Sequence, residues 1–315
     1  MVKKRLNTEE INSFIEAQLA LWPLASENFS KLKNVERKNF KLGDLIVCAQ
    51  WNPGRIVSTG AKVDKKTIES RPCFLCKKNR PPEQYTFDFI ENWEFLINPY
   101  PILPVHFTIS NTCHVPQGKV PMDMAVMAEL APYLVFFYNG AKAGASAPDH
   151  QHVQAVLASE LPLLNLVEKF HPVNQSGFLS SEEFGLELPF HFISSVILPD
   201  LDGMINLKKI TGAFGLEEEK KSCDSGLINA FFWLDKTGIL RALVIPRKRH
   251  RPDCYFARNE DQMIISPGAI DMSGLLIVPR KEDFDKITEK EIRQIYSDVS
   301  FSGNLPSAIK DYFGV

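Results

Sequence analysis

Two histidines and a glutamine at alternate positions, His150-Gln151-His152-Val153-Gln154, are the densest chemistry in the chain. On a β-strand alternate side chains share a face, so His150, His152 and Gln154 should point the same way, with neighbours about 7 Å apart. Two imidazoles and an amide on one face need polar partners, which a purely apolar core does not supply. A neutral imidazole nitrogen attacks phosphorus without prior deprotonation, so one of these histidines is a candidate nucleophile. The preceding loop, Asn139-Gly140-Ala141-Lys142-Ala143-Gly144-Ala145-Ser146, is built of small residues whose backbone N–H groups can approach an anion. Ser146 adds a hydroxyl, Lys142 a charge, and Gln154 an amide for a phosphate oxygen. A lone H-x-H is commonly a pair of hydrogen-bonded structural histidines. The small-residue loop and a C-x-x-C pair elsewhere in the chain favour function here.

That pair is Cys73 and Cys76, among six cysteines that include Cys48, Cys113, Cys223 and Cys254. In a long chain without a secretion signal the six do not suggest a disulfide framework. The spacing is that of a zinc knuckle, and a structural zinc site wants four S/N ligands. His114 and His150 are the candidates for the other two, with Cys113 in reserve. Such a metal would pin a loop-rich segment, residues 61–92, to the strand carrying the nucleophile. The competing readings are two buried thiols or a redox pair. The strand-then-helix context of a redox pair is missing. Cys48, Cys223 and Cys254 read as ordinary small buried residues.

Cations for phosphate come next. Arg55 follows the Asn52-Pro53-Gly54 turn, where a guanidinium could fork onto two oxygens. Asn52 and Asn98 could add amide hydrogen bonds, or could simply form turns. Arg247-Lys248-Arg249-His250-Arg251 is either a solvated surface turn or a set of cations facing a ligand. His106 alternates with Thr108 and reads as structural. His171 and His191 receive no role.

These residues must be positioned by a sizeable core, and 44% hydrophobic content over 315 residues supplies one. The net charge of −2 argues against a broad grip on nucleic acid. No apolar run is long enough to span a bilayer, and MVKKRLNTEE lacks a signal-peptide apolar region, so a cytoplasmic protein is expected. Asn7 with Glu10 makes a capping box for an N-terminal helix over Ile11, Phe14, Ile15, Leu19 and Trp22. Residues 44–60 read as two strands around the Asn-Pro-Gly turn. WEFLINPY, VHFTISN, LVFFYNG and HQHVQAVL read as strands, with a short helix at 122–130. Residues 203–227 read as loops and a surface helix. AFFWLD, ILRALVIPRKRHRP and SPGAIDMSGLLIVP repeat this plan weakly without the two histidines. That repetition divides the chain into 1–160, carrying the active site, and 161–315, a degenerate copy.

Together WNPGRIVSTGAKVD, RPCFLCKKNRPPEQ, NPYPILPVHFTI and NGAKAGASAPDHQHVQ resemble the branch of the histidine-triad superfamily that holds galactose-1-phosphate uridylyltransferase and diadenosine tetraphosphate phosphorylase. The closest likeness is to a bacterial adenylyltransferase-like group. The resemblance covers residues 45–157 well and 228–282 less well. It implies an α+β, HIT-like fold of two related halves, each an antiparallel sheet with helices on one side. It implies His152 as nucleophile and Gln154 as phosphoryl stabiliser. It also implies Asn139, Ser146 and Arg55 on phosphates, and structural zinc on Cys73, Cys76, His114 and His150, with no organic cofactor. The donor would be a nucleotide sugar or dinucleoside polyphosphate and the acceptor phosphate or a sugar phosphate. A homodimer would match the branch; neither nucleic acid nor membrane is expected as partner. Ser146 lies four residues before His150 where the family often has three, Asp149 looks inserted, and Gln151 replaces a common proline. A hydrolase of the same fold and a non-catalytic nucleotide sensor are the rival readings. A zinc-bearing nucleic-acid binder fits the acidic balance least.

Overall fold

The computed structural model describes residues 5–56, 64–170, 178–181, 185–196 and 226–301. The chain opens on a helix, Thr8–Leu21, capped as its sequence predicts. Asn7 Oδ1 accepts from the Glu10 amide at 2.8 Å and Glu10 Oε2 from the Asn7 amide at 3.0 Å. Among the described residues twelve strands follow: β1 (Glu36–Leu42), β2 (Leu45–Trp51), β3 (Phe87–Ile90), β4 (Trp93–Ile97), β5 (His106–Asn111), β6 (Leu134–Asn139), β7 (His152–Leu157), β8 (Phe178–Ser180), β9 (Ile193–Val196), β10 (Ile228–Leu234), β11 (Leu240–Pro246) and β12 (Leu275–Val278). Helices at Asp123–Leu130, Pro162–Phe170 and Glu289–Val299 pack around them. The fold is α+β.

Nine strands form one sheet in the order β3-β4-β5-β7-β6-β10-β11-β9-β8. Each of its pairings is antiparallel. The sheet runs unbroken from the first half of the chain into the second through β6 and β10, which set Phe137 against Phe231 and Asn139 against Asn229. A smaller sheet, β1-β2-β12, joins the halves again because β12 lies parallel to β2. In sequence β12 corresponds to β7, yet β7 sits between β5 and β6 while β12 leaves the large sheet.

Strand alternation builds two cores. Leu134, Phe136 and Tyr138 of β6 pack with Ile11, Ile15, Met124 and Met127 on one face. Val135 and Phe137 pack with Leu45, Val47, Ile292 and Ile295 on the other. Both faces are therefore covered, where helices on one side alone were expected. The second covering layer is the small sheet together with the helix Glu289–Val299. At one end of that second face the apolar lining gives way to His106, Thr108 and Ser110 on β5 and to His152 and Gln154 on β7. Ser110 pairs with His152 and Thr108 with Gln154.

Residues 53–55 form a 3-10 turn where the Asn-Pro-Gly turn was expected, with Asn52 Oδ1 capping the Gly54 amide at 3.1 Å; residues 57–60 of the strand expected after it lie outside the described residues. His171, Cys223 and most of 203–227 lie outside the described residues. Among the described residues no helix is long and apolar enough to cross a membrane.

The cationic run 247–251 divides by depth. Arg247 is buried and donates to the carbonyls of Val299, Arg249, His250 and Pro267 and to Asn229 Oδ1. Burial lowers its pKa to about 10, so it stays cationic at neutral pH. Asn229 in turn donates to Asn139 Oδ1 at 3.0 Å and to the Ala143 carbonyl at 2.8 Å. This chain ties the second half to the small-residue loop of the first. Arg247→Met should strand those buried acceptors, lower stability by about 3 kcal/mol and reduce the melting temperature measurably in differential scanning calorimetry. An unchanged melting temperature would refute the tie.

Candidate active site and metal cluster

β7 begins at His152, so His150 lies in the turn before the strand rather than on its face. Its amide donates to the Ala147 carbonyl at 3.1 Å, and its ring turns towards the cysteine pair. His150 Nδ1 is 3.4 Å from Cys73 Sγ, 3.6 Å from Cys76 Sγ and 3.3 Å from His114 Nδ1. His114 Nδ1 is 3.2 Å from Cys76 Sγ. These four donor atoms all lie within 4.8 Å of one another. A tetrahedral ion with ordinary bonds to nitrogen and sulfur sets its ligands about 3.3–3.8 Å apart, so the cluster fits one and could hold a metal ion. His150 Nε2 faces the Asn111 carbonyl at 2.8 Å. A carbonyl only accepts, so Nε2 carries the proton and Nδ1 keeps its lone pair for a metal.

The knuckle is braced from below. Arg80 donates to the Leu75 carbonyl at 2.8 Å and pairs with Glu94 at 2.7 Å, both side chains buried. Asn79 holds the Cys73 carbonyl at 2.9 Å. Asp149, the apparent insertion, pairs with Arg71 at 2.9 Å and ties the approach to Cys73 onto the turn that carries His150. Cys113 is exposed and outside the cluster.

His152 takes the other path. Its ring sits on the strand face with Gln154, and its Nδ1 lies 2.8 Å from the His150 carbonyl. Nδ1 must therefore donate, which leaves Nε2 as the unprotonated nitrogen. Burial pushes the ring down to about 4 against the raising effect of that backbone bond, so it is neutral at pH 7. Further along the same sheet face, beyond Gln154, His106 is fully buried. Its Nδ1 accepts from the Ile102 amide at 3.0 Å, so its Nε2–H donates to Gln154 Oε1 at 2.8 Å. Desolvation, reinforced by Arg55, pushes His106 down to about 3, which keeps it neutral. With its oxygen held, Gln154 presents its NH2 to the cleft.

The cleft beside Gln154 is walled by both halves of the chain. Arg55, Asn139, Gly144, Ala145 and Ser146 come from the first half and His250, Arg251, Ser266 and Gly268–Asp271 from the second. The walls meet closely: a Cβ on Gly144, which has φ +103°, would stand 2.7 Å from Gly268 Cα. Arg55 donates to the Tyr100 carbonyl at 2.6 Å, and burial lowers it only to about 10, so it faces the cleft as a cation. Asp271 accepts from the Gly268 and Ile277 amides at 2.8 Å, and desolvation raises it to about 6.

Residues 14–157 match the model of a domain of unknown function (DUF4922). Residues 239–313 match a domain described as GDPGP1-like, C-terminal. No curated protein matches the chain. Among solved structures, the yeast Ap4A phosphorylase Apa2 aligns with a TM-score of 0.56 at 13% identity, over 90% of this chain and 98% of that one. Its AMP complex aligns at 0.56 and 14% identity over 91% and 99% of the two chains. Its Ap4A complex aligns at 0.55 and 13% identity over the same shares. The fold is Ap4A phosphorylase-like. Identity this low establishes architecture and leaves the chemistry to the residues.

Of the residues expected at the site, Gln154, Arg55, Asn139 and Ser146 line the cleft. His152 lies beside them, one step along β7 and 3% exposed. Asn52 and Asn98 serve turns: Asn52 Nδ2 holds the Pro101 carbonyl at 3.1 Å, and Asn98 Oδ1 accepts from the Tyr100 amide at 3.0 Å. Asn98 also donates to Thr108 at 3.2 Å, just behind Gln154. Lys142 is exposed and off the cleft wall. Asn139 Oδ1 is engaged by Asn229 and by the Ala269 amide at 2.7 Å, so this residue braces the two walls as well as lining them. Sequence reasoning passed over His106, Gln117 and Asp271. The repeat SPGAID held the signal for the last of these, since it stands where the small-residue loop stands in the first half.

Purified protein should carry close to one metal ion per chain by plasma mass spectrometry. Cys73→Ser and His114→Ala should each abolish it, while Cys113→Ser should not. Equal stoichiometry in all four proteins would overturn the assignment of ligands.

Proposed function

We propose that the protein transfers a nucleotidyl group through a covalent bond to His152. The donor is a nucleotide sugar or dinucleoside polyphosphate, and the acceptor is inorganic phosphate or a sugar phosphate. The observation that carries this reading is the fixed tautomer. His152 Nδ1 is committed to the His150 carbonyl, Nε2 has no protein partner among the described residues, and Gln154 on the same face of β7 lines the cleft with Asn139 and Ser146.

The Nε2 lone pair attacks the α-phosphorus and forms a P–N bond. The P–O bond to the outer phosphate breaks and its electron pair leaves with that phosphate. The imidazolium that results is stabilised by the Nδ1–H···O=C bond already in place. The Gln154 NH2 and the Arg55 guanidinium face the non-bridging oxygens, where negative charge must be held. An oxygen of the acceptor then attacks phosphorus from the side the leaving group vacated, the P–N bond breaks, and neutral His152 returns. With inorganic phosphate as acceptor the product is a nucleoside diphosphate. The two sites, the fold shared with a phosphorylase and the GDPGP1-like C-terminal match all support a nucleotide as substrate.

For the Cys73, Cys76, His114 and His150 cluster we propose zinc, since two thiolates and two imidazoles at tetrahedral spacing suit it. With all four positions filled by protein, its contribution is to fasten loops, including the turn whose carbonyl holds His152. The division into 1–160 and 161–315 we retain as a duplication in which the second copy lost its histidines and became the far wall of the cleft.

Intact-protein mass spectrometry after brief exposure to a panel of nucleotide sugars and dinucleoside polyphosphates tests the reading. The wild type should gain one nucleoside monophosphate, and His152→Ala should gain none and lose turnover by on the order of a thousandfold or more. Adding inorganic phosphate should release the adduct as a nucleoside diphosphate. Release as the monophosphate in phosphate-free buffer would make the protein a hydrolase. No adduct from any donor, with folded and metal-loaded protein, would contradict the covalent route.

A further inference from the structure

Gln117 is one of the few buried amides in the molecule, 4% exposed, and lies in the loop three residues beyond His114. Its place is the fork where β6 and β7 part. The ladder between them ends at Phe137 opposite Gln154. The register would next set Tyr138 against Val153 and Asn139 against His152, but here the strands separate to make room for the loop 140–151. Strand geometry points the N–H and C=O of His152 into that gap, since its other edge already faces β5 across Ser110. Both groups are buried, and unpaired they would be costly.

The Gln117 side chain fills the gap. Its Oε1 accepts from the His152 amide at 2.9 Å. Its Nε2 donates to the His152 carbonyl at 3.0 Å and to the Asn139 carbonyl at 2.7 Å. One side chain thus makes three hydrogen bonds where a continued ladder would make two, and it holds both the N–H and the C=O of His152. The gripping loop is itself laced to the site. The Gln117 amide donates to the Pro148 carbonyl at 2.9 Å, the Gln151 amide to the Val115 carbonyl at 2.6 Å, and the Tyr138 hydroxyl to the Gly118 carbonyl at 2.7 Å.

We infer that Gln117 is a positioning residue for His152: its amide takes the place of a missing strand and fixes the backbone from which the nucleophilic ring projects. This goes a step beyond the covalent reading of His152 and rests on it for its consequence in turnover. The chemistry demanded is specific. A carboxylate of the same size has no hydrogens for the two carbonyls, a thioether has neither donor nor acceptor strength, and asparagine is one methylene too short to span the fork.

The test uses full-length, metal-loaded protein with Gln117→Met, which keeps the volume, and Gln117→Asn, which keeps the amide. Gln151→Ala is the control, because the Gln151 side chain lies on the same strap but does not touch His152. Hydrogen exchange at the His152 amide should quicken at least about tenfold in both Gln117 variants and stay unchanged in the control. The rate of adduct formation, with whichever panel donor labels the wild type, should fall on the order of 100-fold, as expected for a displaced reacting atom. AMP affinity by calorimetry should hold within about threefold, separating misplacement from loss of the site. Unchanged exchange at His152, or adduct rate and AMP affinity falling together, would overturn the inference. If no donor labels even the wild type, the covalent reading has failed, and the exchange comparison still decides whether Gln117 holds His152.

Discussion

The 2.8 Å contact from His152 Nδ1 to the His150 carbonyl is the constraint on which the site depends. It links two residues of one motif that perform different tasks. The ring of His150 turns to the cysteines, while its carbonyl stays behind to set the tautomer of His152. For both to be possible, residue 150 must lie off the strand and residue 152 on it. Much of the surrounding architecture serves that transition: Asn111 and Ser110 on the ring of His150, Arg71 on Asp149, and the Gln117 amide at the strand fork. A metal ion in the cluster would hold the turn, and through its carbonyl the His152 ring, in one geometry.

The second constraint is the fusion of the halves. Because β6 pairs with β10, the loop after β6 and the segment 266–271 are brought face to face, and the cleft belongs to neither half alone. Contact this close tolerates no side chain at Gly140, whose Cβ would stand 2.2 Å from the Gly226 carbonyl oxygen. Buried polar groups do the joining. Arg247, Asn229 and Asn139 form a chain from the helix Glu289–Val299 to the small-residue loop after β6, with every link a hydrogen bond. Asp271, buried on the cleft wall and raised by desolvation, is held by two amides and lies within the field of Arg55 and Arg247.

What could be read from the sequence was local chemistry and local periodicity. The capping box at Asn7, strands β4 to β7 of the large sheet and the four potential metal ligands all follow from residue type and spacing, whereas β3 lies inside the segment 61–92 that reads as loop. The alternation rule placed His150 on the same strand face as His152, and it failed because alternation applies only where a ladder continues. The ladder stops at His152, and His150, two residues earlier, turns its ring to Cys73, Cys76 and His114. The cationic run 247–251 could not be divided from sequence, because burial depends on which strand end meets which loop. Arg247 lies deep, Arg249 pairs with Asp253 and Asp298 at the surface, and Arg251 stacks on Tyr255 at the cleft edge. Gln117 and His106 carried no signal, since a lone glutamine or histidine gains meaning only from a partner distant in the chain.

Solution NMR of the His152 ring tests the central claim most directly, through two- and three-bond 1H–15N correlations in metal-loaded protein at neutral pH. The account predicts a single neutral tautomer with the proton on Nδ1 and a bare Nε2. A proton on Nε2, or an imidazolium at neutral pH, would mean that the His150 carbonyl does not set the ring, and would remove the basis for His152 as the nucleophile.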